Sequence, residues 1–191
     1  LGNSQTAWAF GQFGEAYRTT NNGTSWTEQD LPTWNPIYGA SALNANDVWI
    51  VGAGKTAYAT NGGGGSWTSV HSRTESLLGV SAPAPDTVVA VGSGGAVRYS
   101  TNGGTSWSNG SSGTTSALLS VSMATTRIGW AVGDDGVLLR TDDGGATWVA
   151  QSISPSSASF SSTDGNGLPT ESKRNESGRF MVSVGDVSVR P

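Results

Sequence analysis

Four aspartates fall in two adjacent pairs, Asp134-Asp135 and Asp142-Asp143. Dense carboxylate oxygen on short loops is the donor set of a Ca²⁺ site. The same residues also read as the polar tips of two hairpins, and that reading is preferred, so no metal is expected. Glycoside hydrolysis needs two carboxylates flanking a cleft several ångström apart. Apart from Asp142 and Asp143, the acids available are Glu15, Glu28, Asp30, Asp47, Glu75, Asp86, Asp134, Asp135 and those beyond residue 152. Asp47 and Asp86 stand in nearly the same register, ahead of Trp67 and Trp107 respectively. A repeated acid of this kind suits a turn or cap better than a catalytic pair. The single His71 cannot build a zinc site, and the absence of Cys excludes thiolate ligands and disulfides. The Gly run at 62–65 lacks the Lys-Ser/Thr ending of a phosphate loop. No catalytic residue and no cofactor is therefore expected. Binding remains. Trp34 lies in a Pro-flanked segment, Leu31-Pro32-Thr33-Trp34-Asn35-Pro36, with Tyr38 close by. An aromatic on a stiff loop suits contact with a peptide or a sugar, and these two residues are the candidate binding pair.

The elements that would position these side chains follow from an internal repeat. Segments 7–26, 48–67, 88–107 and 129–148 align without gaps. They end at Trp26, Trp67, Trp107 and Trp148, in steps of 41, 40 and 41. Gly11, Gly52, Gly92 and Gly133 lie 15 before each Trp, and Gly23, Gly64, Gly104 and Gly145 lie 3 before it. Ser25, Ser66, Ser106 or Thr147 precedes it directly. Such a step is the length of four short strands with their turns. The last repeat reads LLSVSM (118–123), IGWAVG (128–133), GVLLRT (136–141) and TWVAQS (147–152), each short, apolar or alternating, and bounded by turn residues. No segment keeps a helical period long enough for a helix. Gly92 to Gly95 and Gly133 to Gly136 bracket tight hairpins that need φ > 0; Lys55 breaks that pattern in the second repeat, leaving Gly54 to take the left-handed position. Trp8, Trp49 and Trp130 recur at one register ahead of the terminal Trp, with Val89 in the third repeat, and are expected in the core between sheets. Nothing before Ala7 can supply a first strand to the first repeat.

The segment between the third and fourth strands resembles the Asp-box, or bacterial neuraminidase repeat, with the pattern Ser/Thr-x-Asp-x-Gly-x-Thr/Ser-Trp/Phe. The stretch from Thr141 to Trp148, with Asp143 and Gly145, matches fully. Asn102 and Asn21 take the Asp position in the third and first copies, and Gly62 takes it in the second. An Asp or Asn there can accept N–H groups of its own hairpin, a Gly can turn left-handed, and the Trp can pack between sheets. Gly62 cannot accept, so the second hairpin is expected to be looser. The resemblance spans about residues 6–152. It implies an all-β, β-propeller-type fold of four-stranded antiparallel blades, with four Asp-box blades here. Residues 131–148 look most similar to the photosystem assembly-factor family of propellers, which implies a non-catalytic role. The sialidase branch implies an Arg triad. Arg18, Arg73, Arg98, Arg127, Arg140, Arg174, Arg179 and Arg190 are present, but Arg18 and Arg140 share a repeat register and the Arg-Ile-Pro segment is absent, so sialidase activity is not expected.

Composition narrows the classes. Gly is 28 of 191 residues, about twice the usual share, which disfavours helices. No apolar run approaches the ~18 residues of a spanning helix, so membrane insertion is not expected. A net charge of −4 argues against nucleic acid. The reading is two parts: 1–152, four blades; and 153–191, a Ser-rich then polar segment with a closing strand at 180–184, residues 158–161 being the other strand able to close the first blade. The expected function is binding or scaffolding, with a protein partner or larger complex and a homo-oligomer in view. The alternative is a carbohydrate-active propeller, hydrolase or lectin. The Ser/Thr/Gly-rich, Lys-poor surface suits an extracytoplasmic setting, periplasmic, lumenal or secreted.

Overall fold

The computed structural model describes residues 5–70 and 75–152. The expectations placed on His71, Arg73 and everything from residue 153 onward, the strand at 180–184 included, lie outside those residues. The chain lays down four antiparallel sheets in sequence, each ordered strand to neighbouring strand. The first holds β1 (Ala7–Phe10), β2 (Ala16–Thr19) and β3 (Thr27–Glu28). The second holds β4 (Ile37–Ala42), β5 (Val48–Gly52), β6 (Ala57–Thr60) and β7 (Thr68–Ser69). The third holds β8 (Leu77–Ser81), β9 (Val88–Gly92), β10 (Val97–Ser100) and β11 (Ser108–Asn109). The fourth holds β12 (Leu118–Met123), β13 (Gly129–Gly133), β14 (Leu138–Thr141) and β15 (Val149–Ala150). Among the described residues there is no α-helix, and the first sheet has three strands where the others have four.

The repeat is reproduced residue by residue. In each four-stranded sheet the first strand shifts register after its first residue, at Ile37/Gly39, Leu77/Gly79 and Leu118/Ser120. Such a bulge bends the strand and re-aims the skipped side chain, here Tyr38, Leu78 and Leu119. The hairpins from second to third strand turn through φ > 0, at Gly94 and Gly95 in the third sheet and at Asp135 and Gly136 in the fourth. Asp is one of the few side chains that tolerates this region. In the second sheet Gly54 takes it at φ 58.

The apolar faces are buried between successive sheets. One cluster joins the second and third sheets, with Trp49, Val51, Leu77, Val80 and Ala90, and another joins the third and fourth, with Val89, Val91, Leu118, Val121 and Trp148. Removing these faces from water is what ties the sheets together. First strands pack on one another closely. A Cβ on Gly39 would lie 3.2 Å from Gly79 Cα, and one on Gly79 would lie 3.0 Å from Ser120 Cα. Ser41 Oγ accepts the Ala82 N–H at 3.0 Å, and Ser81 Oγ accepts the Met123 N–H at 3.1 Å. Between the first and second sheets the filling is aromatic: Trp8 stacks on Phe10, and Trp67 meets both rings edge-on.

Candidate binding face

The strand connections emerge at two ends of the sheets. One end gathers the Asp-box hairpins and the turns from first to second strand; the backbone N–H groups of Gly63, Gly103 and Gly144 bond to the carbonyls of Asn46, Asp86 and Arg127 there. In the fourth hairpin the Asp143 carboxylate accepts the Thr147 N–H at 2.9 Å, the Thr147 hydroxyl at 2.6 Å and the Thr141 hydroxyl at 2.9 Å. Burial acts to raise the Asp143 pKa, but the bonds from Thr147, Thr141 and the Ala146 backbone outweigh it and hold the group below its ordinary 3.8. Asn21 and Asn102 accept the Ser25 and Ser106 N–H groups at 2.9 and 2.8 Å. The second copy has no such acceptor: Thr60 Oγ1 receives the Gly62 and Gly64 N–H groups, and among the described residues nothing replaces the bonds that Asp143 makes to Thr147. Trp107 and Trp148 donate their indole N–H to the Gly104 and Gly145 carbonyls at 3.0 Å, whereas the buried Trp67 Nε1 finds no acceptor. The box residues of this chain are thus occupied with their own hairpins.

The hairpin residues also lean on the preceding sheet. Trp49 Nε1 donates to the Gly103 carbonyl of the third sheet at 3.1 Å. A Cβ on Gly64 would lie 2.7 Å from Trp8, and one on Gly145 would lie 3.2 Å from Val89. The register that carries Trp8, Trp49 and Val89 is therefore an inter-sheet contact.

The charged groups raised by the sequence are scattered. Asp47 accepts Asn44 Nδ2 at 2.6 Å and Asp86 accepts the Thr87 hydroxyl at 3.0 Å, both inside turns. Asp135 accepts the Ser116 hydroxyl at 2.8 Å, and Asp142 lies 3.5 Å from Arg140. Arg98 pairs with Glu75, Arg18 lies over the Trp8 ring, and Arg127 donates to the Asp142 carbonyl at 3.2 Å. Arg18 belongs to the first sheet, Arg98 to the third, and Arg127 and Arg140 to the fourth, where both meet Asp142, so the guanidinium groups serve local partners. Among the described residues no group of three or more His, Cys, Asp or Glu is arranged to hold a metal, and no helix is long and apolar enough to cross a membrane.

The opposite end is different in kind. It carries the hairpins at 11–15, 53–56, 93–96 and 134–137 and the loops that pass from sheet to sheet. Trp34 is there, 87% exposed, with Phe13 at 68% and Tyr38 at 50%. The loop bearing Trp34 is pinned on both sides. The Ile37 N–H donates to the Gly11 carbonyl at 3.1 Å, and a Cβ on Gly14 would overlap the Thr33 carbonyl and lie 3.1 Å from Trp34 Cα. On the other side the Ala53 N–H donates to the Pro36 carbonyl at 3.0 Å, Asn35 Nδ2 donates to Thr56 Oγ1 at 3.2 Å, and the Tyr58 hydroxyl donates to the Pro32 carbonyl at 3.2 Å. A fixed backbone thus holds a large indole out in water, beside the hairpin that holds up Phe13. Phe13 is not among the residues expected from sequence. Its signal is positional: the other repeats have Gly54, Gly94 and Asp135 in that register, just as Trp34 replaces Thr74 and Thr115, and Tyr38 replaces Leu78 and Leu119. All three aromatics depart from the repeat on one side of the first two sheets.

No protein-family model matches the chain, and no curated protein matches it. Solved structures do. YCF48 bound to D1 peptide superposes with a TM-score of 0.65 at 18% identity, over 81% of this chain and 52% of that one. YCF48 from Cyanidioschyzon merolae gives 0.63 at 20% identity, over 80% of this chain and 53% of that one. An ancestral GH74 enzyme gives 0.63 at 19% identity, over 76% of this chain and 22% of that one. The chain spans about half the length of the YCF48 structures it resembles. Its four consecutive antiparallel sheets are those of a β-propeller-type fold, shared with the YCF48 and GH74 structures.

Proposed function

We propose that this chain is a non-catalytic binding and scaffolding module that holds a protein partner on the face bearing Trp34, Phe13 and Tyr38. In this reading it serves as a subunit or an assembly factor of a larger extracytoplasmic or membrane-associated complex. The observation that carries the reading is the 87% exposure of Trp34 on a loop tied to two sheets. Exposed aromatics on pre-organised backbone are the side chains that dominate protein recognition, because little entropy is lost when they are covered. The likeness to YCF48 bound to D1 peptide supports it at the level of fold.

Peptide binding measured by titration calorimetry tests the proposal, with a D1 peptide as first probe and an apolar peptide library after it. Trp34→Ala should weaken binding by about 30-fold, the ~2 kcal/mol of a hot-spot residue, and leave the melting temperature unchanged. Binding that is indifferent to both Trp34→Ala and Phe13→Ala would refute it. A carbohydrate reading has its own support in the GH74 likeness and in the flat, open indole of Trp34. Cleavage of an aryl glycoside, abolished by one Asp→Asn change, would replace the scaffold reading with that one.

A further inference from the structure

The end that carries Trp34 runs as one continuous band across all four sheets. Hairpins and connecting loops alternate along it, and each is bonded to the next. The Gly54 N–H donates to Ser76 Oγ at 3.3 Å, and the Ser93 N–H donates to the Ser76 carbonyl at 3.1 Å. The Ser112 hydroxyl donates to the Gly95 carbonyl at 2.7 Å, and the Asp134 N–H donates to the Ala117 carbonyl at 2.9 Å. With the bonds that pin the Trp34 loop, these fix the backbone from the hairpin at 11–15 to the hairpin at 134–137. The side chains along the band are sorted. Phe13, Trp34 and Tyr38 stand exposed at one end. The middle is low: the third hairpin offers only Ser93, Gly94 and Gly95, and a Cβ on Gly94 would meet nothing within 4 Å. The far end presents Asp134 and Asp135, both exposed.

Charge is sorted as well. Among the described residues this end exposes Glu15, Asp30, Asp134 and Asp135, and Lys55 is its one exposed cation. Glu75 is paired with Arg98. Glu15 and Asp30 belong to the same two segments as Phe13 and Trp34. The opposite end is nearly balanced, with Asp47, Asp86, Asp142 and Asp143 against Arg18, Arg127 and Arg140, and its acids bond within their own turns and hairpins. The exposed aromatics therefore sit in an acidic field that the rest of the described surface does not share. Complementary charge selects the partner and speeds the encounter, and like charge rejects the wrong one.

We propose that the partner is an extended, basic segment of another protein, which sets an apolar side chain on Trp34 and Phe13 and a Lys or Arg at Asp134 and Asp135. This rests on the reading that Trp34 holds a protein partner, and it adds the charge, shape and length of what is held. The Trp34 loop and the last hairpin stand between two and three sheet spacings apart, about 25 Å at about 10 Å per spacing, which an extended chain covers in about seven or eight residues. The small residues in the middle let its backbone lie close. An acidic segment is repelled along the whole band, and a neutral sugar gains nothing from four carboxylates.

A random peptide-display library of about twelve residues, long enough to span the band, panned on the full chain, tests this. Enriched peptides should pair an aromatic or aliphatic residue with a Lys or Arg about seven positions away. Glu15→Gln, Asp30→Asn, Asp134→Asn and Asp135→Asn combined should weaken the best peptide about tenfold in fluorescence anisotropy at low salt, and should remove most of its salt dependence. Asn tolerates the left-handed backbone at position 135, so the hairpin is kept. Peptides that are lost with Trp34→Ala but indifferent to the four amides would leave the binding face standing and overturn the basic-segment proposal. Peptides indifferent to Trp34→Ala would overturn both. Enrichment of acidic or uncharged peptides, or of none, would overturn the proposal. So would competition from a second copy of the chain that disappears with the same four changes, since it would assign the band to self-association.

Discussion

The second Asp-box offers a gain-of-stability test. Gly62 holds the position at which Asp143 accepts three hydrogen bonds. A Cβ built on Gly62 has nothing within 4 Å, and its φ is not left-handed, so Asp fits there without strain. Thr60 and Ser66 already stand where Thr141 and Thr147 stand in the fourth hairpin. Gly62→Asp should therefore create the bonds to the Ser66 N–H and hydroxyl. The hairpin is exposed, so each bond is taken at the low end, about 0.5 kcal/mol. Removing Gly from the unfolded chain adds roughly 0.4–1 kcal/mol. The sum is about 1–2 kcal/mol, or roughly 2–8 °C in melting temperature for a chain of this size. Urea unfolding with Gly62→Ala as the control separates the two contributions, since Ala gives the chain-entropy part alone. If Gly62→Asp is no more stable than Gly62→Ala, the box hydrogen bonds contribute nothing net and the argument fails.

Three further expectations use the same assays. The Asp143 pKa is lowered in the folded chain, so its contribution is fully present above the unfolded value near 3.8 and is lost as pH falls through the lower folded value. Asp143→Asn should flatten that acid limb in a pH series of melting temperatures, because Asn21 and Asn102 show that an amide can accept the same N–H; an unchanged limb would place the acid sensitivity elsewhere. Trp49→Ala removes a buried ring and its bond to the Gly103 carbonyl, and should cost about 3–5 kcal/mol in urea unfolding; a loss below about 1 kcal/mol would contradict the inter-sheet role. Gly79→Val drives methyl groups into the Ser120 backbone and should destabilise by at least about 1–3 kcal/mol, measured in the same way.

Much of the fold was legible because each structural need recurs in every repeat. The near-constant step and the terminal Trp located the sheets, and the strand LLSVSM appears as β12 with the same bounds. The fourth strands were read too long: TWVAQS pairs only over Val149–Ala150. Thr147 is held by Asp143 and the Trp148 N–H donates to the Ser111 carbonyl, so both residues still belong to the hairpin. Periodicity cannot see that, since the competing partner lies in another loop. The open face was half legible. Trp34 and Tyr38 stood out by type and flanking prolines, whereas Phe13 departs from its repeat register in the sequence but shows its place beside Trp34 only in the hairpin at 11–15, where a Cβ on Gly14 would meet the Trp34 loop. Which sheet each recurring Trp leans on is likewise a fact of three dimensions.

That lean has a direction, from each second strand forward to the next hairpin: Trp8 to Gly64, Trp49 to Gly103, Val89 to Gly145. Among the described residues the first three repeat units therefore each carry a seated plug, and the last three each carry an occupied socket. A gene segment encoding such a unit, copied in frame, would give a product whose plug already fits its neighbour and whose socket already receives one. Growth or shrinkage by whole units needs no new interface to evolve, while loss of half a unit strands a plug without its socket. This arrangement lets repeat number drift among proteins of one architecture while the sequence of each unit stays tightly constrained.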